Sequence, residues 1–291
     1  MNKLVNSISK RIDKILESRK IPVDVPLGKI LEAVGKSQYG ESYSVIAHGG
    51  GGTQYSRESA ELYTNSKEAI LDSIEDGKKL IELDLAVTSD GHIVAVHSWP
   101  EVKAKVAWKG INRQVLHDNV PLSYSEVKSI DLGKGIKPLC INEINDIFSE
   151  YQDLILVTDK IRDISSLSSQ FKYLDRLIVE VFDLDSYELA FSLGISNIAY
   201  NVDIRKKNIV DWIENKRIKA VTFSAREVNL HPRAYENSLK LMSKGIVSLA
   251  YSSNDDDFIK NNIGVTISAC YTDYWSLEDK SSILIGGNTT Y

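Results

Sequence analysis

The 291-residue sequence has little of what marks several classes of protein. Its two cysteines, Cys140 and Cys270, lie far apart and match no zinc spacing, so we expect neither a disulfide framework nor a cysteine-bound zinc ion. The formal net charge is −5, whereas proteins that bind nucleic acids usually carry an excess of basic residues. We therefore predict no nucleic acid partner. No apolar run approaches the roughly 20 residues of a membrane-spanning helix.

The N-terminal segment is basic but has no apolar core of a secretion signal. We therefore expect a cytoplasmic protein that does not act at a membrane. Apolar residues near helical spacing still predict a helix here, which either lies on a membrane surface or packs as a cap or an interface helix. These residues are Leu4, Ile8, Ile12, Ile15 and Leu16. The predicted organisation is a helical extension over residues 1–40 and one domain over residues 41–291.

From Ser44 onward, short β-branched runs alternate with longer segments of helical character, such as residues 65–79 and 141–151. Strands that alternate with helices form parallel βαβ units, and eight such units predict an α/β fold closed into a (β/α)8 TIM barrel. The runs begin at Ser44, Lys79, Asp153, Arg176, Ser196, Ile218, Gly245 and Ile263. A further run from His92 follows Asp90-Gly91, which is a hairpin signal. The stretch from Trp99 to Pro138 indicates an irregular insertion over the active-site face.

Acids and histidines stand where the predicted strands end. His48 ends the first run, Glu82 and Asp84 lie near the end of the second, His97 ends the hairpin run, and Asp159 ends the third barrel strand. Catalytic groups of such barrels lie at the C-terminal ends of the strands. We therefore expect these five side chains to converge on one face.

The three carboxylates favour a bound cation. Glu82 and Asp84 are two residues apart on a strand, so they point to the same side, where they would repel each other. One hard divalent cation, Mg²⁺ or Ca²⁺, would remove that repulsion and take oxygen ligands, with Asp159 as the third. His48 and His97 could then supply the acid and the base that cleavage of a phosphodiester requires.

The same residues resemble the N-terminal signature of glycerophosphodiester phosphodiesterases, within the phospholipase-C-like superfamily. That signature runs His-Arg-Gly, Glu-Asn-Thr, Glu-x-Asp, Thr-x-Asp-Gly and His-Asp. Here it reads His48-Gly49-Gly50, Thr64-Asn65-Ser66, Glu82-Leu83-Asp84, Thr88-Ser89-Asp90-Gly91 and His97-Ser98, and Thr272-Asp273 resembles a later element. The resemblance covers roughly Ser44 to Trp275 and identifies a divergent member.

The resemblance implies roles for these residues. His48 and His97 would be the acid–base pair, in an order that the sequence leaves open, and Asn65 would tie the metal-bearing loops together. In the family, a neighbouring hydroxyl of the substrate often attacks the phosphorus first, which gives a cyclic phosphodiester. Apart from the resemblance, aromatic residues near the predicted strand ends would shape the leaving-group pocket, with Trp99, Trp108, Tyr251 and Trp275 as candidates and Trp275 as the predicted substrate contact.

Three departures from the family pattern concern the phosphate. Gly49 replaces the family arginine, Ser98 replaces the aspartate after the second histidine, and Lys160 follows Asp159 directly instead of two residues later. The phosphate would then be contacted by a cation, Lys160 or Arg162, or by backbone N–H groups of the glycine run from Gly49 to Gly52, with Gly49 and Gly50 as the candidates in that run.

The predicted function is hydrolysis of a glycerol- or polyol-type phosphodiester. The substrate would be a small molecule or a polymer such as a phosphodiester-linked polysaccharide, and a phospholipase acting on lipid head groups is the other enzymatic alternative. A non-catalytic barrel that binds phosphorylated ligands is the alternative from another class. The oligomeric state does not follow from the sequence.

Overall fold

Eight parallel strands close into a barrel in the computed structural model, which describes residues 20–52, 64–107, 119–132, 135–273 and 276–277. The barrel order is β1, β2, β4, β5, β6, β7, β8 and β9, and β1 pairs with both β2 and β9 to close it. The strands are β1 (Val45–Ala47), β2 (Leu80–Val87), β3 (Ile93–Ala95), β4 (Ile155–Asp159), β5 (Leu177–Val181), β6 (Ile198–Asn201), β7 (Ala220–Ser224), β8 (Val247–Tyr251) and β9 (Ala269–Thr272). The predicted TIM barrel is confirmed, and β3 is the predicted hairpin partner, antiparallel to β2.

Helices occupy most of the segments between the strands, and one helix precedes the first strand. They are α1 (Lys29–Lys36), α2 (Lys67–Glu75), α3 (Trp99–Ala107), α4 (Tyr124–Lys128), α5 (Ile141–Glu150), α6 (Ile164–Gln170), α7 (Leu184–Ser192), α8 (Ile209–Asn215), α9 (Ala225–Leu230), α10 (Pro232–Ser243) and α11 (Asp256–Asn262). No helix of the described residues is long and apolar enough to cross a membrane.

The inside of the barrel is apolar at the bottom and polar at the top. Side chains alternate along each strand, so every second residue faces inward. The lower inward residues, such as Leu80, Ile155 and Ile178, pack together in a core separate from the layer between strands and helices. Further along the same strands stand the acids Glu82, Asp159 and Glu180, at the C-terminal end of the barrel.

Helix α1 packs into the lower end of the barrel. Its Leu31 and Val34 are fully buried in the inner core. The side-chain oxygen of Asn197 accepts hydrogen bonds from the N–H groups of Ile30 and Leu31, which satisfies two of the donors that a helix start leaves open. This part of the predicted extension therefore belongs to the barrel core, and a domain boundary at residue 40 stays a prediction. The helix predicted in the first 19 residues lies outside the described residues.

The insertion after β3 is more regular than predicted. It contains α3 and α4, so the prediction of an irregular stretch was wrong for residues 99–107 and 124–128. Ser123 and Glu126 form a capping box at the start of α4, which a serine three residues before a glutamate signals. Trp99, Val102 and Val127 bury a small apolar cluster beside β3, and this packing holds the insertion next to the site.

Candidate active site

Three carboxylates meet at the C-terminal end of the barrel. Glu82 and Asp84 point inward from β2, and the strand register places Asp159 of β4 beside Asp84. One carboxylate oxygen of each residue lies within 4.8 Å of the others. Glu82 is 1% exposed and Asp84 0%. Burial, with the charges of Asp84 and Asp159, raises the pKa of Glu82 well above its ordinary value.

The oxygens of this cluster suit a hard divalent cation. Among the described residues, Glu82 Oε1 and Asp84 Oδ1 are buried without a hydrogen-bond partner. Such atoms are rare because each loses its bonds to water and gains none in return. A divalent cation that takes oxygen ligands would satisfy both, so the residues present fit the predicted metal.

Asn65 joins the loop after β1 to the carboxylate strand. Its side-chain amide donates to Asp84 Oδ2 at 3.0 Å, and its side-chain oxygen accepts from the Asp84 N–H at 2.9 Å. Its own N–H donates to the carbonyl of Gly49. Its φ of 50° lies in the left-handed region, which asparagine tolerates better than most residues. These contacts are those of a residue that holds Asp84 in place.

His48 is paired with a partly buried aspartate. It directly follows β1, and its Nδ1 lies 2.8 Å from Oδ1 of Asp273, which follows the neighbouring strand β9. Asn254 donates to Asp273 Oδ2 and accepts from the Asp273 N–H. Burial raises the pKa of Asp273, but the hydrogen bond and charge of His48 and the bond from Asn254 outweigh it and hold that pKa below its ordinary value. Proton exchange between His48 and a substrate would therefore use Nε2.

His97 has an equivalent partner in α3. Its Nδ1 lies 2.8 Å from Oε2 of Glu101, one helical turn further along, and the two side chains are 39% and 38% exposed. The hydrogen bond with Glu101 raises the pKa of His97; burial opposes this, the charge of Asp84 adds to it, and the charge of Lys160 opposes it. His97 thus stands within electrostatic reach of the carboxylate cluster.

Lys160 lies beside the cluster because β4 ends at Asp159. Its φ of 63° is left-handed, so the regular alternation of the strand is broken, and its Nζ lies 2.9 Å from Asp159 Oδ2. Burial lowers the pKa of Lys160, but the charge and hydrogen bond of Asp159 outweigh burial and raise it. Adjacent residues of a regular strand would point to opposite sides; this turn lets both reach one site.

Most backbone N–H groups of the glycine run after His48 donate hydrogen bonds to acceptors within the protein. The N–H of Gly49 donates to Glu82 Oε2 at 2.7 Å, that of Gly51 to the His48 carbonyl, and that of Gly52 to the Asp273 carbonyl. Gly49, Gly50 and Gly51 all have left-handed φ values of 58°, 84° and 94°. A Cβ on Gly51 would lie 2.2 Å from Ser73 Oγ, so this position requires glycine. Three of the four N–H groups are therefore committed to protein acceptors.

A cavity of about 380 Å³ adjoins the site on the side of His97. His97, Trp99 and Lys160 contribute to its lining, together with apolar residues at the end of β2. The guanidinium of Arg162, also in the lining, lies 3.5 Å from the centre of the Phe182 ring. Trp275, the predicted aromatic contact of the substrate, and Trp108 lie outside the described residues.

Several residues of the site were missed by sequence reasoning. Asp273 was part of a recognised motif without an assigned role, and Glu101 stands four residues after His97, a helical spacing hidden by the irregular prediction for that segment. Glu180, the third, is 2% exposed on β5 and accepts from Asn201 at 2.7 Å. Burial raises the pKa of Glu180 to about 8, with the charge of Asp159 adding and the bond from Asn201 opposing. A glutamate at an inward position of the apolar run from Arg176 was its signal.

Acids that cluster at the C-terminal end of a parallel barrel, on neighbouring strands to two histidines, can supply the charge, the acid and the base that phosphodiester cleavage requires, and this chain is a phosphodiester hydrolase. It belongs to the glycerophosphoryl diester phosphodiesterase family, whose model matches residues 48–276. No curated protein sequence matches the chain.

Solved structures of similar fold carry the same family description. A glycerophosphodiester phosphodiesterase from Thermotoga maritima is 24% identical, with 79% of this chain and 94% of that chain covered and a TM-score of 0.54. One from Parabacteroides distasonis is 18% identical, with 79% and 92% covered and a TM-score of 0.57. A phosphodiesterase from Oleispira antarctica, solved in complex with the product sn-glycerol-3-phosphate, is 18% identical, with 79% and 93% covered and a TM-score of 0.54.

Proposed function

We propose that this protein hydrolyses a glycerol- or polyol-type phosphodiester with one divalent cation and two histidines. The observation that carries the proposal is the pairing of His48 and His97, each through Nδ1 with its own carboxylate, near one cluster of three acids. Family membership supports the reaction class, and the product bound to the Oleispira antarctica protein supports a glycerol phosphate substrate.

Glu82, Asp84 and Asp159 would hold Mg²⁺ or Ca²⁺, and Asn65 would keep Asp84 oriented. When bound, the cation would balance the charge of the phosphoryl oxygens. Lys160 would supply a second positive charge in place of the family arginine, because its ammonium lies at the cluster while most N–H groups of the glycine run are already engaged.

The two histidines would divide the proton transfers. His97 suits the general acid, because Glu101 raises its pKa and so keeps it protonated to higher pH. His48, held by Asp273, would then take the proton of the attacking hydroxyl through Nε2. His97 would deliver a proton to the oxygen of the leaving alcohol.

The cavity beside His97 bears on the size of that leaving group. Its volume of about 380 Å³ leaves room for more than a small alcohol, and its lining combines apolar residues with Lys160, Arg162 and Asp163. The cavity therefore favours, as an alternative, a substrate whose leaving group is a polymer or a lipid head group.

The direct test is release of the alcohol from a glycerophosphodiester by the purified protein, with Mg²⁺ or Ca²⁺ and then with excess EDTA. We expect turnover that chelation abolishes and either cation restores. Full activity after chelation would exclude the cation from the mechanism, and binding of the diester without turnover by wild-type protein would favour the non-catalytic barrel.

A further inference from the structure

The chain segments that follow β6 and β7 form one surface at the C-terminal end of the barrel. Residues 203–208 follow β6, and α9 with the start of α10 follows the neighbouring strand β7. The Asn237 amide of α10 donates to the carbonyl oxygens of Ile204 and Lys206 at 2.7 and 3.1 Å. These bonds join the two segments, and the surface of residues 203–208 and 226–236 is called the β6–β7 rim below.

Basic residues outnumber acidic ones on this rim, whereas the whole chain has 35 basic and 40 acidic residues. Asp203 and Glu227 are half-buried and both face Arg205, at 2.9 and 3.5 Å from its Nε. Glu236 is an exposed acid of the rim. Four further basic side chains are exposed, namely Lys206, Lys207, Arg226 and Arg233. The rim therefore presents an excess of positive charge to the solvent.

Two large apolar side chains stand exposed among these cations. Leu230 is 59% and Tyr235 42% exposed, on either side of His231, where α9 ends and α10 begins. Arg226 precedes Leu230 by one helical turn, and Arg233 lies between the two apolar residues along the chain. Single exposed apolar residues are ordinary on a protein surface, but apolar residues within a basic surface form the combination that binds membranes.

Exposed apolar residues elsewhere have a different electrostatic setting. Ile21, Val23 and Leu189 are also exposed, but acids lie beside them. The N–H of Val23 donates to Glu188, the residue before Leu189, and Asp185 lies one turn earlier in α7. An anionic surface would be repelled there, so the β6–β7 rim is the better candidate for contact with one.

We propose that the β6–β7 rim docks the protein on a bilayer that contains anionic lipids. Its basic side chains would contact the head groups, while Leu230 and the Tyr235 ring would enter the boundary between head groups and acyl chains. A polyanion in solution would use the same cations but would gain nothing from Leu230. Such docking departs from the expectation of a protein that does not act at a membrane. It does not rest on the proposed function, because no residue of the acid–base or cation site takes part.

The barrel order places the rim across the mouth from the candidate active site. In the closed ring of eight strands, β6 stands opposite β1, which His48 follows, and β7 stands opposite β2, which carries Glu82 and Asp84. Docking through the rim would therefore bring the C-terminal end of the barrel to the bilayer surface and leave the carboxylate cluster uncovered.

Sedimentation of the full-length protein with lipid vesicles tests this docking. We expect the wild-type protein to bind vesicles of equal parts phosphatidylcholine and phosphatidylglycerol, to bind phosphatidylcholine alone far less, and to be released by salt. Lys207→Glu should weaken binding by about tenfold, because it reverses one charge at the surface. Leu230→Ser should weaken it by about 3–10-fold, because it removes the apolar contact.

Lys260→Glu and Val265→Ser are the matched controls, since these exposed residues precede β9 at the opposite end of the barrel. Both should bind as wild type does, and turnover of a soluble diester should be unchanged in all four variants. Wild-type protein that ignores the anionic vesicles would overturn the proposal. Undiminished binding of both rim variants would place the contact elsewhere on the chain and refute it as well. Weaker binding of Lys207→Glu with wild-type binding of Leu230→Ser would identify a surface for polyanions instead of a bilayer.

Discussion

Replacing Glu82 by glutamine is expected to stabilise the metal-free protein while removing its response to cations. Glutamine can keep the bond from the Gly49 N–H through its oxygen, and its amide can donate toward Asp84 and Asp159. Because the folded-state pKa of Glu82 is raised, its ionisation costs stability. The contribution of Glu82 to stability should be highest below the ordinary glutamate pKa and should be lost as pH rises through the raised pKa. The variant lacks this dependence.

The magnitude follows from the spacing of the cluster. Two unit charges at 4.8 Å repel by roughly 3 kcal/mol at an effective dielectric constant of about 20. The neutral side chain of glutamine removes the repulsion that involves residue 82, so we expect the metal-free variant to be more stable than wild type by roughly 1–3 kcal/mol at neutral pH. A cation at one hundred times its Kd would stabilise the wild-type protein by about 2.7 kcal/mol, and the variant far less.

Chemical denaturation with EDTA and with Mg²⁺ or Ca²⁺, at several pH values, measures both effects. Asp146→Asn, which removes an exposed carboxylate of α5, is the control and should behave as wild type. A metal-free Glu82→Gln protein less stable than wild type, or an unchanged gain from the cation, would refute the account of these acids as a strained cation site.

Three further predictions concern the catalytic groups. His48→Ala and His97→Ala should each lower kcat by roughly 10²–10⁴-fold, the usual scale of general acid–base catalysis; undiminished turnover would remove that histidine from the mechanism. Glu101→Gln should lower the pKa of His97 and move the alkaline limb of the kcat profile to lower pH, because a general acid fails as pH rises through its pKa; movement of the acidic limb alone would make His97 the base. Lys160→Met should depress kcat strongly while the cation, followed by the thermal shift it causes, still binds; a mild effect would transfer the role to backbone N–H groups. Gly50→Val would not test the role of the glycine N–H groups by itself, because it also strains the backbone. The φ of Gly50 is left-handed, and a Cβ there would lie 3.3 Å from Ile70.

Local patterns in the sequence were enough to predict the fold and the carboxylates at the centre of the site. The eight β-branched runs, separated by helical spacing, determined the barrel, because periods of two and 3.6 residues express directly which side of an element is buried. The positions of Glu82 and Asp84, two apart near a strand end, determined that both point inward to one site. The ends of parallel strands meet at one edge of a sheet, so convergence of acids from β2 and β4 also followed.

The partners of these groups were decided by tertiary structure. Asp273 lies 225 residues after His48, and only barrel closure through β1 and β9 brings them together. Lys160 reaches the cluster because β4 ends in a left-handed residue, a backbone feature that the alternation of a strand does not encode. Glu180 meets Asn201 of the neighbouring strand only because strand register sets its side, since a one-residue shift would have turned it outward. Periodicity fixes which side of each element is buried, whereas the pairing of strands determines which side chains meet across the barrel.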